Sequence, residues 1–180
     1  MVPPLSTGPS RTMLDKFSEL AVKLACHQHT DKVRVLLRRL AFELIFRGET
    51  HDLSKLSEAE LEVFAEYSPK LKEVSYGSDL YQQHLKAMQP ALDHHYANNA
   101  HHPEHYGSEG VRGMNLVDLV EMFCDWFASS QRHADGDLDR SIDINQKRFG
   151  LSDDLVAILK NTLKILRVEE EEPQKPLVKS

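Results

Sequence analysis

Apolar residues recur along this chain at intervals of three and four, and no strand-like alternation appears. Phe17, Leu20, Ala21 and Leu24 predict a helix over 13–25. The pattern restarts near His29 and Thr30. Val33, Leu36, Leu37, Leu40, Ile45 and Phe46 then form a broad apolar stripe to Arg47, with Gly48 as its stop. His29, one turn before Val33, faces the core side of that stripe, while Lys32 and Arg47 read as solvated. Ser57 and Glu60 have capping-box spacing and open a helix over 57–67 that buries Leu61 and Phe64, with Pro69 after its end. Residues 68–77 read as a loop, and Ser78 or Asp79 caps the next helix. That helical pattern covers 80–99, and Pro90 kinks or splits it. Pro103 ends the segment. Gly107, Gly110 and Gly113 predict a loose connection, a candidate flap over a pocket.

Asn115 caps a further helix, with Asp118 in its first turn. From Leu116 to Ala128 that helix is apolar nearly all round, which marks a central element. It also carries Glu121 and Asp125. An unpaired buried carboxylate is costly, so Asp125, between Cys124 and Trp126, is expected to be buried and compensated. Glu121 is expected at an edge or behind a ligand. A helix over 138–149 stops at Gly150. Ser152 caps the last one, with Leu155, Ile158, Leu159, Leu163 and Leu166 on its apolar face. The acidic turn over 133–139 lacks the Gly and the closing Glu of a calcium loop, which excludes calcium. The expected architecture is an all-α, single-domain helical bundle of about six to eight helices over 13–168. A flexible leader (1–12) precedes it and a charged, disordered tail (169–180) comes after it.

Composition narrows the function classes. A chain of 180 residues with 41% hydrophobic and 28% charged residues suits one soluble globular domain with a real core. Its net charge of -6, without a dense Lys/Arg block, argues against broad nucleic-acid binding but leaves room for a small phosphorylated ligand. No apolar run reaches spanning length and 1–12 has no signal-peptide pattern, so the expected place is the cytoplasm, with no membrane partner. Cys26 and Cys124 are expected as buried free thiols. Homo-oligomerisation is left open.

The histidines change the picture. There are 10, and His94, His95, His101, His102 and His105 crowd one short stretch. His51 and Asp52 are adjacent at a helix end, where a bend lets imidazole and carboxylate converge; Lys55 lies three positions on. His95, Asn99 and His102 share one helical face, and His94, Asn98 and His101 the next. Imidazole and carboxylate without thiolate suit Fe, Mn, Co, Ni or Zn.

In this order — His29, His51-Asp52, clustered histidines, Asp125 on a late helix — the chain resembles the HD-domain metal-dependent phosphohydrolase superfamily. The likeness covers roughly residues 30–130. It implies ligands at His29, His51, Asp52 and Asp125. The members with two or three metals add a middle-helix histidine and a His-His pair, here His95 and His101-His102, and a lysine matching Lys55. The Gly-Tyr-Pro expected after His101-His102-Pro103-Glu104 is missing, so cyclic-dinucleotide hydrolysis is not implied. His51 to Lys55, His95 to Glu104 and Glu121 to Trp126 are more closely similar to a family of uncharacterised bacterial and phage proteins. The implied activity is hydrolysis of a phosphate ester or anhydride in a small phosphorylated compound such as a nucleotide. One or two divalent transition metals would serve it. Asp52, Lys55 and His101 would be catalytic, and Asn99, Glu104 and Glu121 would support the ligands. Alternatives are a di-iron oxygenase on the same scaffold, or a non-catalytic helical metal-binding module. Which of His94/His95 and of His101/His102 are ligands stays open.

Overall fold

The computed structural model describes residues 13–75, 78–131 and 137–171. Among them every element is helical and no strand occurs, so the chain is all-α. No described helix is long and apolar enough to cross a membrane. The leader expected over 1–12, most of the acidic turn, and 172–180 lie outside the described residues. Glu169 to Glu171, expected in a disordered tail, continue the last helix. Two compact units result, Met1–Ile45 and Phe46–Ser180.

The first unit is formed by helix α1 (Met13–Thr50), whose last residues belong to the second. The break expected near His29 is absent. No Gly or Pro interrupts that stretch, and the Thr30 hydroxyl donates to the Cys26 carbonyl at 2.9 Å, so it stays satisfied inside the helix. Continuity changes where the apolar stripes point. Phe17 and Val33 are separated by about 160° of net rotation at ~100° per residue, so the two stripes fall on nearly opposite sides of one rod. Phe17 and Leu37 are 65% and 61% exposed, and the core stripe expected here is not buried. Cys26 is exposed as well, as is Cys124, against the expectation of buried thiols.

In the second unit a 3-10 turn (Leu53–Leu56) leads to α2 (Leu61–Glu73). The capping box expected at Ser57 does not form. Ser57 closes the 3-10 turn, and the backbone carbonyl of Ser57 accepts from Glu60 and Leu61, which leaves the Glu60 side chain free to turn inward. α2 also runs through Pro69 instead of ending before it. The ring sacrifices one backbone bond but holds a helical φ, and Lys70 and Lys72 suit the helix's C-terminal end. Pro90 splits the next segment as expected, into α3 (Asp79–Ala87) and α4 (Gln89–Asn98).

The glycine-rich connection is not a loose flap. It winds as 3-10 turns over Pro103–Gly113, with Gly107 and Gly110 at positive φ where the path reverses. Tyr106 pins it through a 2.6 Å bond to Asp118. α5 (Leu116–Ser130) starts at the capping box of Asn115 and Asp118. It is not buried all round, since Leu116, Val120 and Cys124, an i, i+4, i+8 row, face outward. Its inner face meets α6 (Leu138–Phe149) and α7 (Asp153–Glu171) in a core of Phe123, Leu138, Ile142, Leu159 and Leu163. Gly150, at φ 64°, terminates α6 as predicted.

Candidate metal centre

α1 ends at Thr50, not at Gly48, and the chain turns at Asp52. Its φ of 59° makes it the only non-glycine residue in the left-handed region among the described residues. Such a conformation costs about 1–3 kcal/mol and persists where its surroundings fix it. Here it brings His51 and Asp52 to bear on one point. α4 ends at Asn98, and Asn99 donates to the His95 carbonyl and to Ser54 Oγ, both at 2.7 Å. The backbone beyond Asn99 carries His101 and His102 back toward α4. α5 supplies Glu121 and Asp125.

These elements converge on the Asp52 carboxylate. Oδ1 lies 3.2 Å from His95 Nε2 and 3.5 Å from His101 Nε2. Oδ2 lies 3.4 Å from His51 Nε2 and 2.5 Å from Lys55 Nζ. His102 Nε2 is 3.0 Å from His95 Nε2, and Asp125 Oδ1 is 3.7 Å from His51 Nε2. Three overlapping groups could hold a metal ion: Asp52 with His95, His101 and His102; His51 with Asp52 and Asp125; and His51 with His101 and Glu121.

Behind this set, buried carboxylates hold the far ring nitrogens. Glu121 Oε1 accepts from His51 Nδ1 at 2.9 Å and His101 Nδ1 at 3.1 Å. Glu60 Oε2 accepts from His95 Nδ1 at 2.9 Å. An ionised carboxylate only accepts, so each Nδ1 carries a proton and Nε2 is the nitrogen that each ring turns to the centre. Arg47 completes the backing, with bonds of 2.9 Å to Glu121 Oε2 and to Asp118 Oδ1. It is thus not the solvated residue that its sequence context suggests.

The charges follow this wiring. The Asp125 and Glu121 carboxylates push His51 up to about 10. Burial works against the Asp52 charge, but the neighbouring His95 ring and the Lys55 ammonium outweigh it and hold its carboxyl well below the usual range. Burial likewise opposes Glu121 and Asp125, but bonds from His101 and His51 keep the first low and the nearby His51 ring keeps the second low. Burial, with the neighbouring His101 and His95, pulls His102 down to about 3 and keeps it neutral.

Two atoms test whether these residues fit a metal. Asp52 Oδ1 and His101 Nε2 are both buried, and neither has a hydrogen-bond partner. Leaving two such atoms unpaired costs free energy, and a divalent cation accepts electrons from both. The imidazole and carboxylate donors suit a transition ion.

Of the sequence candidates, the structure gathers His51, Asp52, His95, His101, His102 and Asp125, with Lys55 beside them. Within its pair it is His95, not His94, that reaches the centre. His29 is exposed on α1 and belongs to none of the three groups. Asn99 and Glu121 stand behind ligands. Glu104 instead pairs with Arg148 at 2.8 Å. Glu60, Ser54 and Arg47 were missed; the capping-box spacing of Glu60 concealed a side chain turned inward. A cavity of about 1120 Å³ adjoins the centre, where Asp52, Lys55, His102 and Asp125 line it; Trp126 and Phe149, stacked 6.1 Å apart, line it too. His101 is not among its lining residues.

No curated protein and no solved structure matches this chain. Residues 18–165 match the model of a family of unknown function, DUF5662, and they include every group just described. The chain therefore belongs to the DUF5662 family.

Proposed function

We propose that this protein is a metal-dependent hydrolase of a phosphate ester or anhydride in a small phosphorylated compound, on a scaffold like that of the HD-domain superfamily. The observation that carries the reading is the Asp52 carboxylate. Its Oδ1 faces His95 and His101, and its Oδ2 faces His51 and Lys55. His51, Asp52, His95, His101, His102 and Asp125 would hold one or two ions. A divalent metal bound there supplies Lewis acidity and a water acidic enough to give hydroxide near neutral pH.

The chain's own residues do the rest. Lys55, held on Asp52 at the cavity edge, places a positive charge where phosphoryl oxygens would lie. His102 lines the cavity while His101 does not, so His101 is better suited to ligation than to the proton donation expected of it. Trp126 and Phe149 give the cavity a flat apolar wall suited to a planar ring.

One observation favours a second reading. His51, His95, His101 and His102 with Asp52 and Asp125 make four imidazoles and two carboxylates, the ligand count of a di-iron oxygenase on an HD-like scaffold. Turnover of a panel of nucleotides and phosphate esters with Mn or Co, absent in Asp52→Asn, supports hydrolysis. Iron-specific charge-transfer absorption with oxygen-dependent turnover, and no phosphate release, would replace it with the oxygenase.

A further inference from the structure

Glu60 is fully buried, and side chains of the site fill its lone pairs. Oε1 accepts from His94 Nδ1 at 2.7 Å, and Oε2 accepts from His95 Nδ1 at 2.9 Å and from Ser54 Oγ at 3.1 Å. Ser54 Oγ in turn accepts from Asn99 at 2.7 Å. Burying a carboxylate is unfavourable unless it is hydrogen-bonded, and here imidazole and hydroxyl donors meet that need. Nothing about starting α2 requires this, because the Glu60 side chain makes no cap bond there.

We propose that Glu60 is a positioning residue of the centre: it locks His95 in the Nδ1-protonated tautomer, so that Nε2 is bare and aimed at Asp52. The proposal rests on the metal-centre reading above, and it goes beyond the ligands to a residue that touches neither metal nor substrate. The geometry explains why a full negative charge is used. An imidazole that gives electrons through Nε2 becomes a stronger donor at Nδ1, so a carboxylate behind it strengthens ligation more than a neutral acceptor would. It explains Ser54 as well. Its hydroxyl receives from Asn99 and gives to Glu60, which fixes the carboxylate plane. Glu121 does for His51 and His101 what Glu60 does for His95, so all three rings present the same nitrogen to Asp52.

The test uses the full-length protein, Glu60→Gln and Glu60→Asp, with Glu66→Gln as a control on an exposed helical pair. Long-range proton–nitrogen spectra of the metal-free proteins read the tautomer directly. Wild type should show His95 protonated at Nδ1, and Glu60→Gln should populate the Nε2-protonated form. Competition of Co(II) against a chromophoric chelator should show binding weakened by about 10–100-fold in Glu60→Gln, with an altered Co(II) visible spectrum. Glu60→Asp, which keeps the charge, should lose less, and it carries the test if Glu60→Gln does not fold. Glu66→Gln should match wild type. If wild type fails to bind Co(II), the metal-centre reading falls. If wild type binds and the variants share its tautomer, affinity and spectrum, the centre stands and the role of Glu60 is overturned.

Discussion

His95 Nε2 and His102 Nε2 face each other across 3.0 Å. Glu60 holds the His95 proton on Nδ1, so His95 brings a lone pair to this contact. His102 is kept neutral by burial and by its imidazole neighbours. Without a cation the contact is a single hydrogen bond, donated by His102 Nε2. With a cation, both Nε2 atoms can ligate. His102→Ala should therefore weaken Co(II) binding by more than the ~10–100-fold that loss of an outer partner costs. Equal affinity in a chelator competition would remove His102 from the ligand set.

Asp52 should be tested with asparagine. Its left-handed φ of 59° suits Asp or Asn, whereas alanine would add backbone strain to the loss of charge. Asp52→Asn should abolish stoichiometric metal binding, and it should lose the stabilisation that metal confers on wild type in thermal melts. Elemental analysis beside melting with and without chelator reads both. Unchanged metal content would count decisively against a centre built on this carboxylate.

Stability of the metal-free protein should peak near pH 6.5. His51 is raised to about 10, so its contribution is complete below its ordinary value of 6.5 and is lost as pH climbs through 10. His102 is lowered to about 3 and stays neutral in the fold. The unfolded chain takes up that proton below 6.5, so stability falls as pH drops from there toward 3. Asp52, Glu121 and Asp125, all held low, add to the acid limb once the ordinary carboxylate range is reached. Melting temperatures of chelator-treated protein from pH 4 to 10 check this. His102→Gln should flatten the limb between about pH 4 and 6. A melting temperature that rises steadily from pH 7 to 9 would refute the assignment to His51.

Local signals were legible where one residue decides the backbone. Pro90 split a helix, Gly150 ended one, and Asn115 with Asp118 began one. The convergence of His51, Asp52 and the His101-His102 pair was legible for a similar reason: each lies at a break where a short chain reversal aims side chains inward. Spacing failed where two structures share one pattern. Ser57 and Glu60 fit a capping box, but the same interval allowed Glu60 to turn under His95. The stretch around His29 lost its apolar period without any residue that forbids a helix, so α1 ran on and left His29 exposed. Arg47, one of several cations along α1, gave no hint of its partners some 70 residues on, because long-range ion pairs leave no local period.

Tyr106 ties the 3-10 segment to α5, and the bond it makes is short because its acceptor is charged and buried. Burial and Asp118 push the phenol up to about 12, so it remains a donor throughout the physiological range. Tyr106→Phe keeps the ring, which packs so closely on Gly113 that a Cβ there would lie 2.6 Å from it. The change should cost about 1.5–3 kcal/mol, the range for a hydrogen bond to a charged group. Urea denaturation measures it, and a loss below ~0.5 kcal/mol would mean that another group satisfies Asp118.

Arg47 should be the most costly single residue to lose outside the ligand set. It bonds Asp118, which is fully buried, and Glu121, whose side chain is only 9% exposed. Removing one partner from a buried pair leaves a charge without compensation, at about 3–5 kcal/mol. Asp118 would keep Tyr106 and its backbone donor at Asn115, so part of its charge remains satisfied. Glu121 would keep the two imidazoles but lose the cation that fixes its other oxygen. Arg47→Met, which preserves the aliphatic stem, should therefore lower stability by roughly that amount and also weaken Co(II) binding, because His51 and His101 lose a fixed partner. Arg47→Lys should recover only part of both, since an ammonium cannot reproduce the fork that reaches two carboxylates. Denaturation of the metal-free variants separates the first effect, and chelator competition the second. A fully stable Arg47→Met would show that the backing network does not depend on this guanidinium.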